Sequence, residues 1–283
     1  MLPNPTEGHP GREKEGFSTA TGGSIIQTDS PVRYTNYDEI AAAYDRRYTE
    51  EDYGDIERAL TNFVGDKTPT VLEVGCGTGH WLQRLGDRNI DAVGIDLSLP
   101  MLLHARQKLR NGPLVHARAE HLPFAAHTFG RVFCINAHHH VADKRTFFEE
   151  ARRVLRRGGS MMTVALDPHP GTDRWWVYEY FDGTRQIDKE RYPSCEQIRE
   201  WMSAVGFTDT FTKEVQHLPG DVAADEALLS GMISPRYTSQ LAVLTSDEFS
   251  AGVQRIRAAM ANDRQLRLAA DLRVYATYGW ISE

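Results

Sequence analysis

The sequence predicts an α/β protein built on a doubly wound, mainly parallel sheet of seven strands. Three observations carry that expectation. Short β-branched apolar runs alternate with stretches of helical periodicity, a glycine-rich bend follows the first of those runs, and an aspartate closes the second. Such alternation builds βαβ units, whose right-handed crossovers lay helices on both faces of a parallel sheet.

Residues 1–30 are rich in Gly, Pro, Thr and Ser without hydrophobic periodicity and are expected to form a disordered tail. Over 34–63, Ile40, Ala43, Tyr44 and Tyr48 recur at spacings of three and four, which predicts a helix with Asp38 placed to cap it. Residues 70–74 are β-branched and apolar and run into glycines, hence a buried strand. Its helix is 80–88, with Trp81, Leu82 and Leu85 on the apolar face. The second strand is 91–96, followed by a helix over 100–110 whose proline suits a first turn. The third and fourth strands are 113–118 and 131–136. A helix over 144–155, stopped by Gly158 and Gly159, leads into the fifth strand, 160–166.

The rhythm then breaks. Residues 167–193 are dense in aromatics (Trp175, Trp176, Tyr178, Tyr180, Phe181), either a substrate lid or core beneath an insertion. Arg185 and Arg191 in this stretch either bind a substrate carboxylate or are solvated. A helix follows over 194–205, capped by Ser194 and stopped by Gly206. Residues 207–215 and 272–280 are the last two strands, and 221–263 between them is mostly helical. The chain thus divides into a tail (1–30), a helical lid and ligand-binding core (31–166), an inserted aromatic cap segment (167–193) and a C-terminal part (194–283) that completes the sheet and adds a helical cap.

Composition narrows the function. The 283 residues carry a formal net charge of −7, which disfavours general nucleic-acid binding and adhesion to anionic membranes. No apolar run is long enough to span a bilayer, and the opening residues lack the apolar core of a signal peptide. Cys76, Cys134 and Cys195 are far apart with no C-x-x-C pair, a pattern that fits a reduced cytoplasm rather than a disulfide framework or zinc knuckle. Nothing in the sequence sets an oligomeric state.

The chemistry-bearing segment is E-x-G-x-G-x-G at 73–79. In open parallel sheets ligands bind beyond the carboxyl ends of the strands, near the point where strand order reverses. Glycines there permit positive φ and close approach of a ligand to the backbone, and the next helix adds free N–H groups. The third glycine comes two residues after the second rather than three, which argues against a dinucleotide fingerprint, and no phosphate-loop motif is present.

Val71-Leu72-Glu73-Val74-Gly75-Cys76-Gly77-Thr78-Gly79 resembles the first motif of class I S-adenosylmethionine-dependent methyltransferases, of the broad ubiquinone-biosynthesis-like type 11 group. Gly94-Ile95-Asp96-Leu97-Ser98 resembles the second-strand acidic motif, and Arg118-Ala119-Glu120-His121-Leu122-Pro123-Phe124 the third-strand motif. Residues 136–143, with paired histidines, resemble the fourth-strand motif, and Arg153-Val154-Leu155-Arg156-Arg157-Gly158-Gly159 the family's glycine turn. Tyr37-Asp38 and Tyr44-Asp45 resemble its N-terminal helix. The likeness covers residues 34–166, about half the chain, with six motifs in register.

The resemblance implies a Rossmann-like fold and S-adenosyl-L-methionine as cofactor, with S-adenosyl-L-homocysteine as product and a small-molecule acceptor. Gly75, Cys76, Gly77 and Gly79 are expected beside the methionine moiety, and Asp96, with Leu97 next to it, at the ribose hydroxyls. Ala119 and Glu120 are expected at the adenine edge, and Asn136 at the methyl centre. Glu73 either holds the loop or meets the cofactor, and Cys76 is a small packing residue. Tyr37 and Tyr44 are expected in a lid. Tyr37, His139 and His140 are the candidate catalytic residues, the histidines acting as general base or serving in packing. No metal site is expected, because adjacent His138, His139 and His140 on an extended segment point to opposite sides and lack a carboxylate or thiolate at ligand spacing. Two departures concern adenine: Arg118 stands where the family has an acceptor aspartate, so Glu120 or backbone must replace it, and 127–131 lacks the family's aspartate before the fourth strand. The rival readings are a cofactor-dependent cyclisation or rearrangement on the same fold, and a non-catalytic cofactor-binding protein.

Overall fold

The computed structural model describes residues 33, 35, 38, 45, 48, 53–65, 70–109 and 112–283. The expected tail (1–30) lies outside them, as do Tyr34, Tyr37, Ile40, Ala43 and Tyr44 of the expected first helix. Its described end is α1, Gly54–Val64.

The first strand, β1 (Val71–Val74), is buried at all four positions. It is followed by α2 (His80–Gly86), β2 (Ala92–Asp96), α3 (Leu99–Lys108) and β3 (Leu114–His116). The chain then crosses to the other side of β1 and forms β4 (Phe129–Ile135), α4 (Lys144–Val154) and β5 (Leu155–Leu166). The short β6 (Arg174–Trp175) precedes three helices, α5 (Trp176–Tyr180), α6 (Thr184–Arg191) and α7 (Cys195–Ala204). Next come β7 (Thr208–Ala223), α8 (Ala224–Ser230), α9 (Ser239–Ala242), α10 (Ser246–Asn262) and β8 (Arg267–Trp280).

The sheet order is β3-β2-β1-β4-β5-β8, with β6 and β7 also on β8. Pairings among β1 to β5 are parallel, and those of β8 with β5, β6 and β7 are antiparallel. The expected seven strands are present, and the two-residue β6 is an eighth. Strand order reverses between β1 and β4, so their carboxyl ends border the crevice where such sheets bind ligands.

Burial on both faces follows from the period of two. Leu72, Val74, Val132 and Cys134 pack one way against Phe147, Phe148 and Ile198. Val71, Phe133 and Ile135 pack the other way against Ile56, Leu60, Trp81 and Leu85. The helix starts follow their caps. Asp143 accepts from the Thr146 N–H at 3.0 Å, and Ser194 and Thr245 form capping boxes with Gln197 and Glu248.

Three boundaries differ from expectation. The helix α4 ends at Val154 rather than at the glycines. Leu155 already pairs with Phe129, and the chain loops out before Ser160 pairs with Arg131. Gly158 there has φ of 66°, and Gly159 sits so tightly that a Cβ would lie 2.8 Å from the Arg156 carbonyl. The glycines therefore make a kink inside the strand, not a helix stop. The last two strands are also longer than expected. Val222 pairs with Leu268 and Ala223 with Arg267, so 221–223 is strand rather than helix. Pro219 hid this extension, and it is tolerated because β7 is an edge strand. Finally, the remainder of the stretch 221–263 forms three separate helices.

This β7–β8 ribbon carries a third hydrophobic cluster. Trp176, Val177 and Phe181 from the aromatic segment are fully buried with Ala227, Leu241, Ile256 and Leu268. The aromatic stretch therefore builds core at these three positions. Gly252 of α10 is seated on Phe181 so closely that a Cβ would lie 2.2 Å from the ring. Among the described residues no helix is long and apolar enough to cross a membrane.

Candidate functional site

The chain leaves β1 through three glycines with positive φ: 76° at Gly75, 51° at Gly77 and 78° at Gly79. At Gly75 the requirement is double, because a Cβ would also fall 2.3 Å from the Ala137 Cβ on the loop after β4. The Gly75 and Cys76 N–H groups both donate to the Ile95 carbonyl at 2.9 Å, which seats the bend on the end of β2. The Gly77 N–H donates to Asp96 Oδ2 at 2.7 Å, and the Ser98 N–H to Asp96 Oδ1 at 2.8 Å. Asp96 is thus aimed by two peptide groups, and each oxygen keeps a lone pair for a further donor. Burial raises its pKa, and the amides of Ser98, Gly77 and Leu97 oppose that rise. Leu97, next in the chain, is 59% exposed, an apolar side chain left in solvent.

Glu73 is buried, with neither carboxyl oxygen in hydrogen-bond geometry with any described residue. Burial pushes its pKa well up, the nearby Asp96 charge adds to this, and the Leu82 amide offsets it only weakly. Cys76 is buried too, and burial pushes its thiol pKa well up, so it is an inert packing group. Gly94 gives it room, since a Cβ there would lie 2.8 Å from its Sγ.

Glu120 does not stand at an open rim. It is buried, and its Oε1 accepts from the Ala142 and Asp143 N–H groups at 3.2 and 3.4 Å and from Arg118 Nη2 at 3.2 Å. Its carboxylate braces the loop after β4 and pairs with Arg118, the residue that departs from the family pattern. Ala119 is half-buried against the core cluster. Within the second departure, 127–131, Arg131 joins α1 to β4 by donating to the Phe63 carbonyl at 3.0 Å.

Asn136 follows β4 in the left-handed region, φ 52°, with its N–H donating to the Val164 carbonyl at 2.8 Å. The three histidines then form one 3₁₀ turn, His138–His140, rather than an extended segment. His138 and His139 are buried, and their ring nitrogens have no partner among the described residues. Burial holds the His138 pKa down at about 3. Burial also lowers that of His139, helped by His140, Arg191 and Lys144. A neutral imidazole so hard to protonate is a weak proton acceptor at neutral pH. The His139 ring stacks on Tyr192 at 3.9 Å and 14°. Among the described residues no group of three His, Cys, Asp or Glu is placed to hold a metal ion.

The sequence singles out Asp38 as a helix cap and Asp45 as part of a family-like motif, but not the ties by which they join the N-terminal segment to the glycine bend. The Ser98 hydroxyl donates to Asp38 Oδ1 at 2.5 Å, so Asp38 is a tie to the end of β2. The Thr78 hydroxyl donates to Asp45, which also accepts from Lys108 Nζ at 2.6 Å. The Tyr48 ring stacks on His80, 3.7 Å between centroids. Further back, Arg33 pairs with Glu248 and the Thr35 hydroxyl donates to the Ser239 carbonyl at 3.3 Å. The seven-residue interval between Asp38 and Asp45, two helical turns, was the signal available. Candidate catalytic Tyr37 lies outside the described residues.

A doubly wound sheet with this bend, and with an acid at the end of the neighbouring strand, is the Rossmann-like architecture of S-adenosylmethionine-dependent methyltransferases. Residues 72–163 match the model of the methyltransferase domain family. The malonyl-[acyl-carrier protein] O-methyltransferase of Salmonella typhimurium is 31% identical over 137 residues, 46% of this chain and 55% of that protein. Phosphoethanolamine N-methyltransferase 2 of Haemonchus contortus, in complex with phosphomonomethylethanolamine and S-adenosylhomocysteine, superposes with a TM-score of 0.55 at 19% identity, covering 87% of this chain and 58% of that one. The [4+2]-cyclase SpnF has the same fold with a TM-score of 0.53 at 18% identity, covering 89% and 98%. The chain spans about half the length, or less, of the first curated relatives it matches.

Proposed function

We propose that this protein is a methyltransferase that uses S-adenosyl-L-methionine to methylate a small molecule at oxygen, nitrogen or carbon. The observation that carries the reading is the bend from Gly75 to Gly79, closed against Asp96 and Ala137 at the switch point of the sheet. A cationic nucleoside fits these residues. Asp96 retains acceptor capacity for ribose hydroxyls, and exposed Leu97 offers an apolar face to a base. Gly75, Gly77, Gly79, Cys76 and Asn136 would border the amino-acid part. When bound, the cofactor supplies an electrophilic methyl on a sulfonium.

The chain's own residues then align and enclose. The Asp38 and Asp45 ties hold the N-terminal segment against the bend, and closure of this kind orients the acceptor and excludes water. His139 and Tyr192, stacked and uncharged, form a neutral wall rather than a proton relay. The acidic net charge and the methyltransferase names of the relatives support a small acceptor over nucleic acid.

Calorimetry with S-adenosylhomocysteine tests the cofactor. Asp96→Asn removes a charge-assisted acceptor and is expected to weaken binding about 10- to 100-fold. Equal affinity of variant and wild type would refute the assignment. Counting labelled methyl groups in the product separates transfer from a cofactor-dependent cyclisation or rearrangement, which leaves the cofactor methyl in place.

A further inference from the structure

Arg191, at the end of α6, is 0% exposed. A guanidinium carries five N–H donors in a rigid plane. Here only Nη1 is used, and at long range: 3.3 Å to Asp188 Oδ1 and 3.3 Å to the Ser239 carbonyl. Nε and Nη2 meet no acceptor among the described residues. These two nitrogens share one edge of the plane, the edge whose parallel N–H groups match the two oxygens of a carboxylate.

Asp188 forms a buried ion pair with Nη1 and leaves Nε and Nη2 unused. Its other oxygen accepts from the Tyr178 hydroxyl at 2.8 Å, and burial raises its pKa while the Arg191 charge opposes that rise. The surroundings tie Arg191 to the candidate site. Tyr192, next in the chain, stacks on His139 of the turn that follows Asn136. The Arg191 charge bears on both His139 and Lys144. The Ser239 carbonyl that meets Nη1 also accepts from Thr35 of the N-terminal segment. Through Nη1 and the adjoining Tyr192, Arg191 is thus linked to the cap helices, to the turn after β4 and to Thr35.

We propose that the unused Nε–Nη2 edge of Arg191 is the anchor for a carboxylate on the acceptor. The inference rests on the methyltransferase reading and deepens it to a substrate class. A monoanion fits better than a phosphate, whose second charge would be placed beside Asp188. Because the fork engages both oxygens, the carboxylate is a handle, and the methylated atom lies elsewhere on the acceptor. His139, with unpartnered ring nitrogens and no charge, adds a neutral polar group beside it without cancelling the cation.

The test titrates benzoate, 4-hydroxybenzoate, phenylacetate and 3-hydroxybutanoate, each beside its primary amide, into protein saturated with S-adenosylhomocysteine. At least one acid is expected to bind, with its amide about 10- to 100-fold weaker, as charge-assisted bonds to one guanidinium imply. Arg191→Met is expected to abolish the preference while leaving S-adenosylhomocysteine affinity within about twofold, since no cofactor contact is removed. The proposal is overturned if no acid binds, if acid and amide bind alike, if inorganic phosphate competes as well as the acids, or if Arg191→Met keeps the preference. Should Arg191→Met fail to fold, the wild-type Arg191 Nε–H resonance, assigned with Arg191→Lys, decides: it must shift with an acid and not with its amide, and a signal that stays put refutes the anchor. Absent S-adenosylhomocysteine binding in the wild type would sink the methyltransferase reading itself. Methylation of neutral acceptors alone would sink only the anchor.

Discussion

Replacing Gly75 by alanine asks whether the bend is shaped by backbone conformation, by space, or by both. At a φ of 76° a residue with a Cβ is strained, by about 1–2 kcal/mol. The new Cβ would also lie 2.3 Å from the Ala137 Cβ, where methyl groups normally rest about 4 Å apart. Overpacking of a well-filled site costs about 1–3 kcal/mol. The two effects together predict a loss of about 2–5 kcal/mol, a large part of the roughly 5–15 kcal/mol that holds a domain together. They are separable, because Ala137→Gly in the same chain removes the clash and leaves the φ strain. Urea unfolding of the two single variants and the double variant measures each term, and the double variant is expected to regain about 1–3 kcal/mol relative to Gly75→Ala. The reasoning fails if Gly75→Ala costs under about 0.5 kcal/mol, the usual scatter for an unimportant position, or if Ala137→Gly restores nothing.

Three further outcomes follow from the same geometry. His138 is buried with its pKa held at about 3. Its folded pKa is depressed, so the stability it contributes is intact above the unfolded value and falls with pH below it, by about 1.4 kcal/mol between pH 7.5 and 5.5. Denaturation across that range should show a shallower pH slope in His138→Gln, and an unchanged slope would exclude this residue as the source. Gly252→Ala drives a Cβ to 2.2 Å from the Phe181 ring. A loss of about 1–3 kcal/mol is expected, and Phe181→Leu should recover part of it in thermal unfolding, whereas additive losses would contradict the contact. Asp38→Ala removes the hydroxyl tie to Ser98. S-adenosylhomocysteine binding measured by calorimetry should weaken about 2- to 10-fold, the worth of one such bond, and full affinity would show that this tie does not close the site.

The glycine bend, Asp96 and the strand–helix alternation were legible because their signals are local. A strand's period of two and a bend's need for positive φ are written in neighbouring residues. The same locality explains the misreadings. Gly158 and Gly159 look like a helix stop from their own neighbours, yet Phe129 captures Leu155 into the sheet before the glycines are reached. The strand read over 207–215 stops short of Pro219, and only pairing with β8 shows an edge that tolerates this proline.

By itself, then, the amino-acid order determined the parallel core, its switch point and the glycine bend beside Asp96. The tertiary structure alone decided that Glu120 turns inward to brace a loop, that the aromatic stretch becomes core, and that Arg191 is dry. Desolvation is the reason for the difference. Whether a charge is in water depends on partners distant in the chain, such as Ser239, 48 residues from Arg191, or Thr35, 204 residues from Ser239. No local pattern reports which remote segments will exclude the solvent.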